Sequence, residues 1–156
     1  MYRIAILSDV HADVHALTDA LAAIDRMHCD AVVCAGDVVD FGLFPDETIA
    51  LLAARGIPTV RGNHDRWATA SEHRSAWSGE LSLESKRWLA RLPTSLRLEH
   101  EGVRIAVHHA SPVADMAGIV PGNLQAHEAR HLLKVAEADV LVVGHTPFAS
   151  TSQTRA

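Results

Sequence analysis

The chain has 156 residues, a formal net charge of −5, and 48% hydrophobic against 21% charged residues. That length and apolar content suit one globular domain, 1–156, with a sizeable core. The acidic balance and the absence of a long basic run exclude an extended nucleic-acid face, which needs clustered Lys and Arg.

Short apolar runs alternate with helical patterns along the chain. Tyr2 to Leu7 reads as a buried strand. Asp13 is a candidate N-cap, and Val14, Leu17, Leu21 and Ile24 come next on one helical face. Ala31 to Ala35 is a second strand. Pro45, Asp46 and Glu47 form a helix first turn, with a preset φ and acids facing the helix dipole. That helix runs through Ile49, Leu51 and Leu52 and stops near Gly56. Ile57 to Val60 is expected as a third strand.

Residues 66–82 are polar and weakly periodic, and read as a loop or a small helical cap carrying Trp67 and Trp77. Ser82 to Leu92 is a short helix closed by Pro93, with Trp88 and Leu92 facing the core. Ser95–Glu99 and Val103–Val107 flank His-Glu-Gly and suggest a hairpin. Asn123 is expected to cap a helix reaching about Ala138, and Val140 to Val143 is the last strand. This order points to an α/β fold with a largely parallel sheet.

The N-terminal apolar run meets Asp9 at once and is too short for a signal peptide. No stretch reaches the roughly 18 apolar residues that cross a bilayer, so no membrane association is expected. Cys29 and Cys34 form neither a CxxC motif nor a disulfide framework, so a reducing, cytoplasmic location is expected.

Eleven histidines against one tyrosine raise the question of a metal. The residues at the end of each apolar run supply the answer. The first run leads to Asp9 and His11, the second to Asp37, the third to Asn63, His64 and Asp65, the fourth to His108 and His109, and the last to His145. The C-terminal edge of an open α/β sheet is where ligands bind. Mixed carboxylate, imidazole and amide oxygen suit borderline divalent ions such as Mn, Fe or Zn. A central carboxylate can bridge two ions, and such a pair clamps both oxygens of a phosphoryl displacement. Gly36, Gly62 and Gly144 allow close backbone approach.

Taken singly, these residues have ordinary readings as caps, turns or core histidines. Their joint order makes those readings improbable. His28, His73, His100, His127 and His131 are expected at the surface.

The motifs DVH (9–11), GDVVD (36–40), GNHD (62–65), HHASP (108–112) and GHT (144–146) resemble, in order, those of calcineurin-like metallophosphoesterases, especially small bacterial members. The resemblance covers nearly the whole chain. It implies an αββα sandwich and a hydrolase of phosphate esters, diester or monoester, using two divalent metal ions and a metal-bridging hydroxide as nucleophile. It further implies that Asp9 and His11 bind the first metal and that Asp37 bridges both. Asn63, His109 and His145 would bind the second, with His108 as the alternative to His109. His64 would protonate the leaving oxygen, oriented by Asp40. A phosphate-ester small molecule or nucleotide is the implied substrate.

Three departures stand out. Pro147 replaces the second histidine of the GHTH that many small members carry, leaving three side-chain ligands on the first metal. Phe41 stands where the protein phosphatase and diadenosine tetraphosphatase branches carry a phosphate-binding arginine, so Arg61 and Arg66 become candidates for that role. Beyond Phe148 the chain shows no β pattern, whereas family members continue with further strands, so a C-terminally shortened sandwich is expected. An exposed sheet edge would favour homo-oligomer formation. The alternative reading is a non-catalytic binding or scaffold protein with an impaired phosphoesterase site.

Overall fold

In the computed structural model, which describes residues 1–70, 79–120, 122–147 and 149–154, the first strand is β1 (Ile4–Leu7), followed by helix α1 (Val14–Met27). Asp13 caps α1 by accepting from the Ala16 N–H, and His28 closes it in the left-handed region. The apolar period turns Leu17, Leu21 and Ile24 into the core. β2 (Ala31–Cys34) runs parallel to β1, with Ile4 opposite Ala31 and Leu7 opposite Cys34.

The expected strand over Ile57–Val60 shrinks to a single parallel bridge between Cys34 and Thr59. Two hydrogen bonds hold it, from Cys34 N to Pro58 O and from Val60 N to Cys34 O. Pro58 has no N–H to extend the ladder, and the chain enters a helix at Asn63.

Helix α2 (Pro45–Ala54) starts at its proline, as expected. Helix α3 (Asn63–Thr69) takes in residues 66–69, the start of the segment read as a loop or a small helical cap. Residues 71–78, with His73 and Trp77, lie outside the described residues. Helix α4 (Leu83–Arg91) is capped by Ser82. The hairpin forms between β3 (Ser95–His100) and β4 (Val103–His108). Its two turn residues, Glu101 and Gly102, both have positive φ, 50° and 80°. That twist matches the flanking strands of a two-residue hairpin. Helix α5 (Ala126–Ala136) begins later than expected. Gln125, not Asn123, is its N-cap, and the Glu128 side chain reaches back to the Gln125 N–H. β5 (Val140–Val142) then pairs parallel with β4.

The strands form two sheets rather than one largely parallel sheet: β1–β2, and β3–β4–β5 with an antiparallel β3–β4 pair. Val33, Ala35, Val60 and Val107 bury between them, joined by Ile4, Leu96, Leu98 and Val142. On the outer face of the first sheet, Leu17, Leu21, Ile49, Leu52 and Leu89 from α1, α2 and α4 pack around Cys34 and Val38. On the outer face of the second, Ala136 and Ala138 pack on Ala106 and Leu141. These layers make an αββα sandwich. Leu52 and Leu89 are fully buried, each contributing about 1.5–3 kcal/mol of transfer free energy. No described helix is long and apolar enough to cross a membrane.

Candidate metal centre

Parallel pairing puts the C-terminal ends of β1 and β2 together, and likewise those of β4 and β5. The loops leaving those ends are bonded to one another. Asp9 N donates to Gly36 O, His11 N to Asp37 O and Ala12 N to Val38 O, zipping the first loop to the second. Gly144 N donates to His109 O, and His145 N to Asp9 Oδ2, which ties the second sheet to the first. Ser8 Oγ also donates to Asp9 Oδ2.

One group of atoms gathers around His109 Nε2. Asn63 Oδ1 lies 3.0 Å away, and His145 Nδ1 and Asp37 Oδ2 each 3.2 Å. His109 Nδ1 donates to Ala35 O at 2.8 Å, since a carbonyl can only accept. In the neutral ring the proton therefore sits on Nδ1, and Nε2 turns its lone pair toward the Asn63 amide oxygen, the Asp37 carboxylate and the His145 ring nitrogen. A cation among them, a proton or a metal ion, satisfies these converging lone pairs. Metal bonds of about 2.0–2.2 Å place neighbouring ligand atoms roughly 3.0–3.4 Å apart, which is the spacing found. Burial acts to lower the His109 imidazole, but the Asp37 carboxylate, the Ala35 carbonyl and Asp9 outweigh it and hold the group above its ordinary value. The surroundings thus favour positive charge at this point.

A second group comprises Asp9, His11 and Asp37, whose ligand atoms lie within 4.8 Å of one another; the same limit holds for Asp37, His109 and His145. Asp37 belongs to both. His11 Nδ1 donates to Val39 O at 3.2 Å, leaving Nε2 for the site. His64 opens α3 at the rim. Its Nδ1 lies 2.8 Å from Asp40 Oδ2, and its backbone N–H donates to Asp37 Oδ1 at 2.9 Å.

The local backbone is strained around these groups. Among the described residues, seven of the ten non-glycine positive-φ positions are Asp9, His11, Ala12, Asp37, Asp40, Phe41 and His145. Each costs about 1–2 kcal/mol, which persists only where the surroundings impose it. Two glycines make room for the carboxylates rather than for ions. A Cβ at Gly62 would sit 2.0 Å from Asp37 Oδ1, and one at Gly144 would sit 1.8 Å from Ser8 Oγ and 2.8 Å from Asp9 Oδ2.

The structure therefore brings together Asp9, His11, Asp37, Asn63, His109 and His145, with His64 and Asp40 alongside. Of the histidine pair it is His109 that enters the cluster. His108 ends β4 opposite Ser95, and burial, then Arg97, lowers its pKa. Arg66, a candidate for phosphate, is bound in bidentate fashion to Asp115 at 2.6 and 3.2 Å. Sequence pattern alone gives Asp65 no role. It is fully buried and accepts from the backbone N–H groups of Asp37, Val38, Val39 and Gly62. Burial pushes its carboxyl up to about 6 against those donors, with Asp37 adding to the rise. Asp65 braces the loop carrying Asp37 against the start of α3. An acid at the third position of a helix is the signal that would have marked it.

The calcineurin-like phosphoesterase superfamily domain matches residues 2–155. The chain belongs to that superfamily. It is 27% identical over 120 residues to the protein MJ0912 of Methanocaldococcus jannaschii, covering 70% of this chain and 49% of that one. The crystal structure of a metallophosphoesterase from Sphaerobacter thermophilus is similar, with a TM-score of 0.68 and 25% identity, over 92% of this chain and 60% of that chain. The fold is also that of protein PH1004 from Pyrococcus horikoshii OT3, with a TM-score of 0.72, 20% identity, and 92% and 69% coverage. The chain spans about half the length of the curated relative.

Proposed function

We propose that this chain hydrolyses phosphate esters at a centre of two divalent metal ions. Asp9, His11 and Asp37 would hold one, and Asp37, Asn63, His109 and His145 the other, with Mn, Fe or Zn matching the mixed donor set. The observation that carries the reading is Asp37, shared by two ligand groups, one of which brings the Asn63 amide oxygen, the Asp37 carboxylate and His145 Nδ1 within 3.2 Å of His109 Nε2. Bound ions would supply Lewis acidity and a water of lowered pKa.

The chain's own residues do the rest. The Asp40 carboxylate holds His64 Nδ1–H and stabilises the imidazolium. His64 then delivers its Nε2 proton to the leaving oxygen as the P–O bond breaks, and stays hydrogen-bonded to Asp40 as a neutral ring. The backbone bond from His64 N to Asp37 Oδ1 fixes the proton donor relative to the ligand shared by both groups. Two free cysteines fit a reducing, cytoplasmic setting.

The test is metal content by mass spectrometry, together with hydrolysis of bis(p-nitrophenyl) phosphate and p-nitrophenyl phosphate with added Mn²⁺. Two ions per chain, and turnover that chelation and Asp37→Asn both remove, are expected. Tight metal binding with no turnover of either ester would overturn the enzymatic reading and leave a metal-binding scaffold.

A further inference from the structure

Beside the candidate metal centre stands an exposed aromatic side chain outside the apolar core. Phe41 comes directly after Asp40, is 57% exposed, and belongs to none of the three apolar clusters. Its φ is +62°, a conformation that a residue with a Cβ adopts only where its surroundings impose it. They impose it strongly. Phe41 N donates to Asp40 Oδ1 at 3.0 Å. Gly42 N donates to His11 O and Phe44 N to Ala12 O, while Gly79 N donates to Gly42 O. The loop is thus clamped to the segment that carries His11.

The clamp sets the phenyl ring against two site histidines, whose own ring centroids are 5.0 Å apart. Its centroid lies 4.9 Å from that of His11 and 4.8 Å from that of His64. One neighbour is a candidate metal ligand and the other the candidate proton donor. Trp67 also lies 4.8 Å from His64, but of the two rings only Phe41 is in contact with His11 as well, so a group on the leaving oxygen that takes its proton from His64 has the Phe41 ring within reach. Among the described residues, one candidate phosphate-binding cation is already engaged. Arg66 of α3 is neutralised by Asp115, and Phe41 itself carries no charge. A monoanionic diester needs less counter-charge there than a dianionic monoester.

Resting on the function proposed above, we propose that Phe41 is a stacking platform for a flat aromatic group, such as a nucleobase, borne by the leaving alcohol of a phosphodiester. In the reaction, the water oxygen bonds to phosphorus and the bond to the aromatic-bearing alcohol breaks. That alkoxide takes a proton from His64, and a monoester and an alcohol result. Phe41 sets specificity and exchanges no proton.

Two matched probe pairs test this. Methyl 2-phenylethyl phosphate and methyl 2-cyclohexylethyl phosphate have leaving alcohols of equal acidity and differ in flatness. So do 2-phenylethylphosphonate and 2-cyclohexylethylphosphonate, whose C–P bond is not hydrolysed. With Mn²⁺, kcat/KM is expected to favour the phenyl diester roughly tenfold, and calorimetry to show a similar ratio of Kd for the phosphonates. Phe41→Ala and Phe41→Leu are expected to bring both ratios to about one, and Phe41→Trp to restore them, thermal unfolding verifying that each is folded. Ratios near one in the unaltered protein, or a preference that survives Phe41→Leu, would overturn the platform. If neither these diesters nor the p-nitrophenyl esters are hydrolysed, the phosphoesterase reading falls while the phosphonate affinities still decide the role of Phe41; if only the p-nitrophenyl esters turn over, that reading stands and the diester platform is overturned.

Discussion

Asp40 Oδ2 and His64 Nδ1 meet at 2.8 Å, and both side chains are largely withdrawn from water, 6% and 16% exposed. A carboxylate so placed fixes the ring and balances the imidazolium. Its value depends on how much the leaving oxygen needs a proton. For an alkyl ester, His64→Ala is expected to lower kcat by about 10²–10⁴, with Asp40→Asn lowering it by a smaller factor in the same direction. For a p-nitrophenyl ester, whose leaving oxygen is a weak base, both losses shrink to a few-fold. Parallel kinetics on the two ester types read this out, and equal losses on both would remove His64 from the proton-donor role.

Asp37 is common to both ligand groups, whereas His145 belongs to one. The variants should therefore differ in stoichiometry. Asp37→Asn removes a negative charge from both sites and is expected to leave fewer than one ion bound per chain. His145→Ala is expected to keep the Asp9–His11–Asp37 ion and lose the other. Metal content by mass spectrometry after gel filtration distinguishes them. Two ions retained in Asp37→Asn would show that the negative charge of Asp37 is not needed to hold either.

The parts legible in the sequence are those set by local chemistry. Asp13 and the Leu17–Leu21–Ile24 period announce α1, and Glu101-Gly102 announces the hairpin. Carboxylates, imidazoles and an amide recurring after apolar runs announce the site. What stayed hidden depends on distant partners. The weak periodicity of 66–82 leaves loop and small helical cap both open, and residues 66–69 continue the turn that Asn63 begins, with Ala68 against the core. Ile57–Val60 has strand composition but finds only Cys34 to pair with. Asp65 spends its carboxylate on N–H groups 26 to 28 residues away. The left-handed backbone at Asp9, Asp37 and His145 is fixed by bonds between loops, which no local pattern encodes.

Gly62 is one residue before Asn63 and carries no candidate function of its own, yet it packs directly on Asp37. A methyl group there would lie 2.0 Å from Asp37 Oδ1 and 2.5 Å from Asp37 N. Both atoms belong to a loop braced by Asp65, so neither can yield cheaply. Gly62→Ala is expected to cost about 2–3 kcal/mol of stability, as overpacking does, and to lower metal content with it. Urea unfolding with metal analysis checks both. Full stability and two ions in this variant would show the Asp37 loop to be softer than its bonding indicates.

Cys34 lies at the end of β2, fully buried, and burial pushes its thiol up to about 12. The thiolate is the reactive form, so Cys34 is expected to resist Ellman's reagent at pH 8 in the native protein. The partly exposed Cys29 is expected to react first. After unfolding in guanidinium both react. A second fast thiol in the native chain would mean that β2 opens on the time scale of the assay.

At the far end of the second sheet, Asp139 accepts from the Arg104 guanidinium and backbone N–H, joining the start of β5 to the start of β4. The guanidinium first, and the backbone bond second, hold its carboxyl at about 2. The folded state therefore binds a proton less readily than the unfolded one, whose carboxyl titrates near 3.9. Below that value the unfolded chain is protonated first, so the contribution is complete above about pH 4 and fades as pH falls through about 2. Asp139→Asn has no such titration. The difference in urea midpoint between the two proteins is thus expected to narrow steadily from pH 5 to pH 2. Subtracting the variant cancels the other acid-sensitive pairs, Arg55–Asp25 and Arg66–Asp115. A difference independent of pH over that range would mean that the Arg104 pairing adds nothing to the β4–β5 junction.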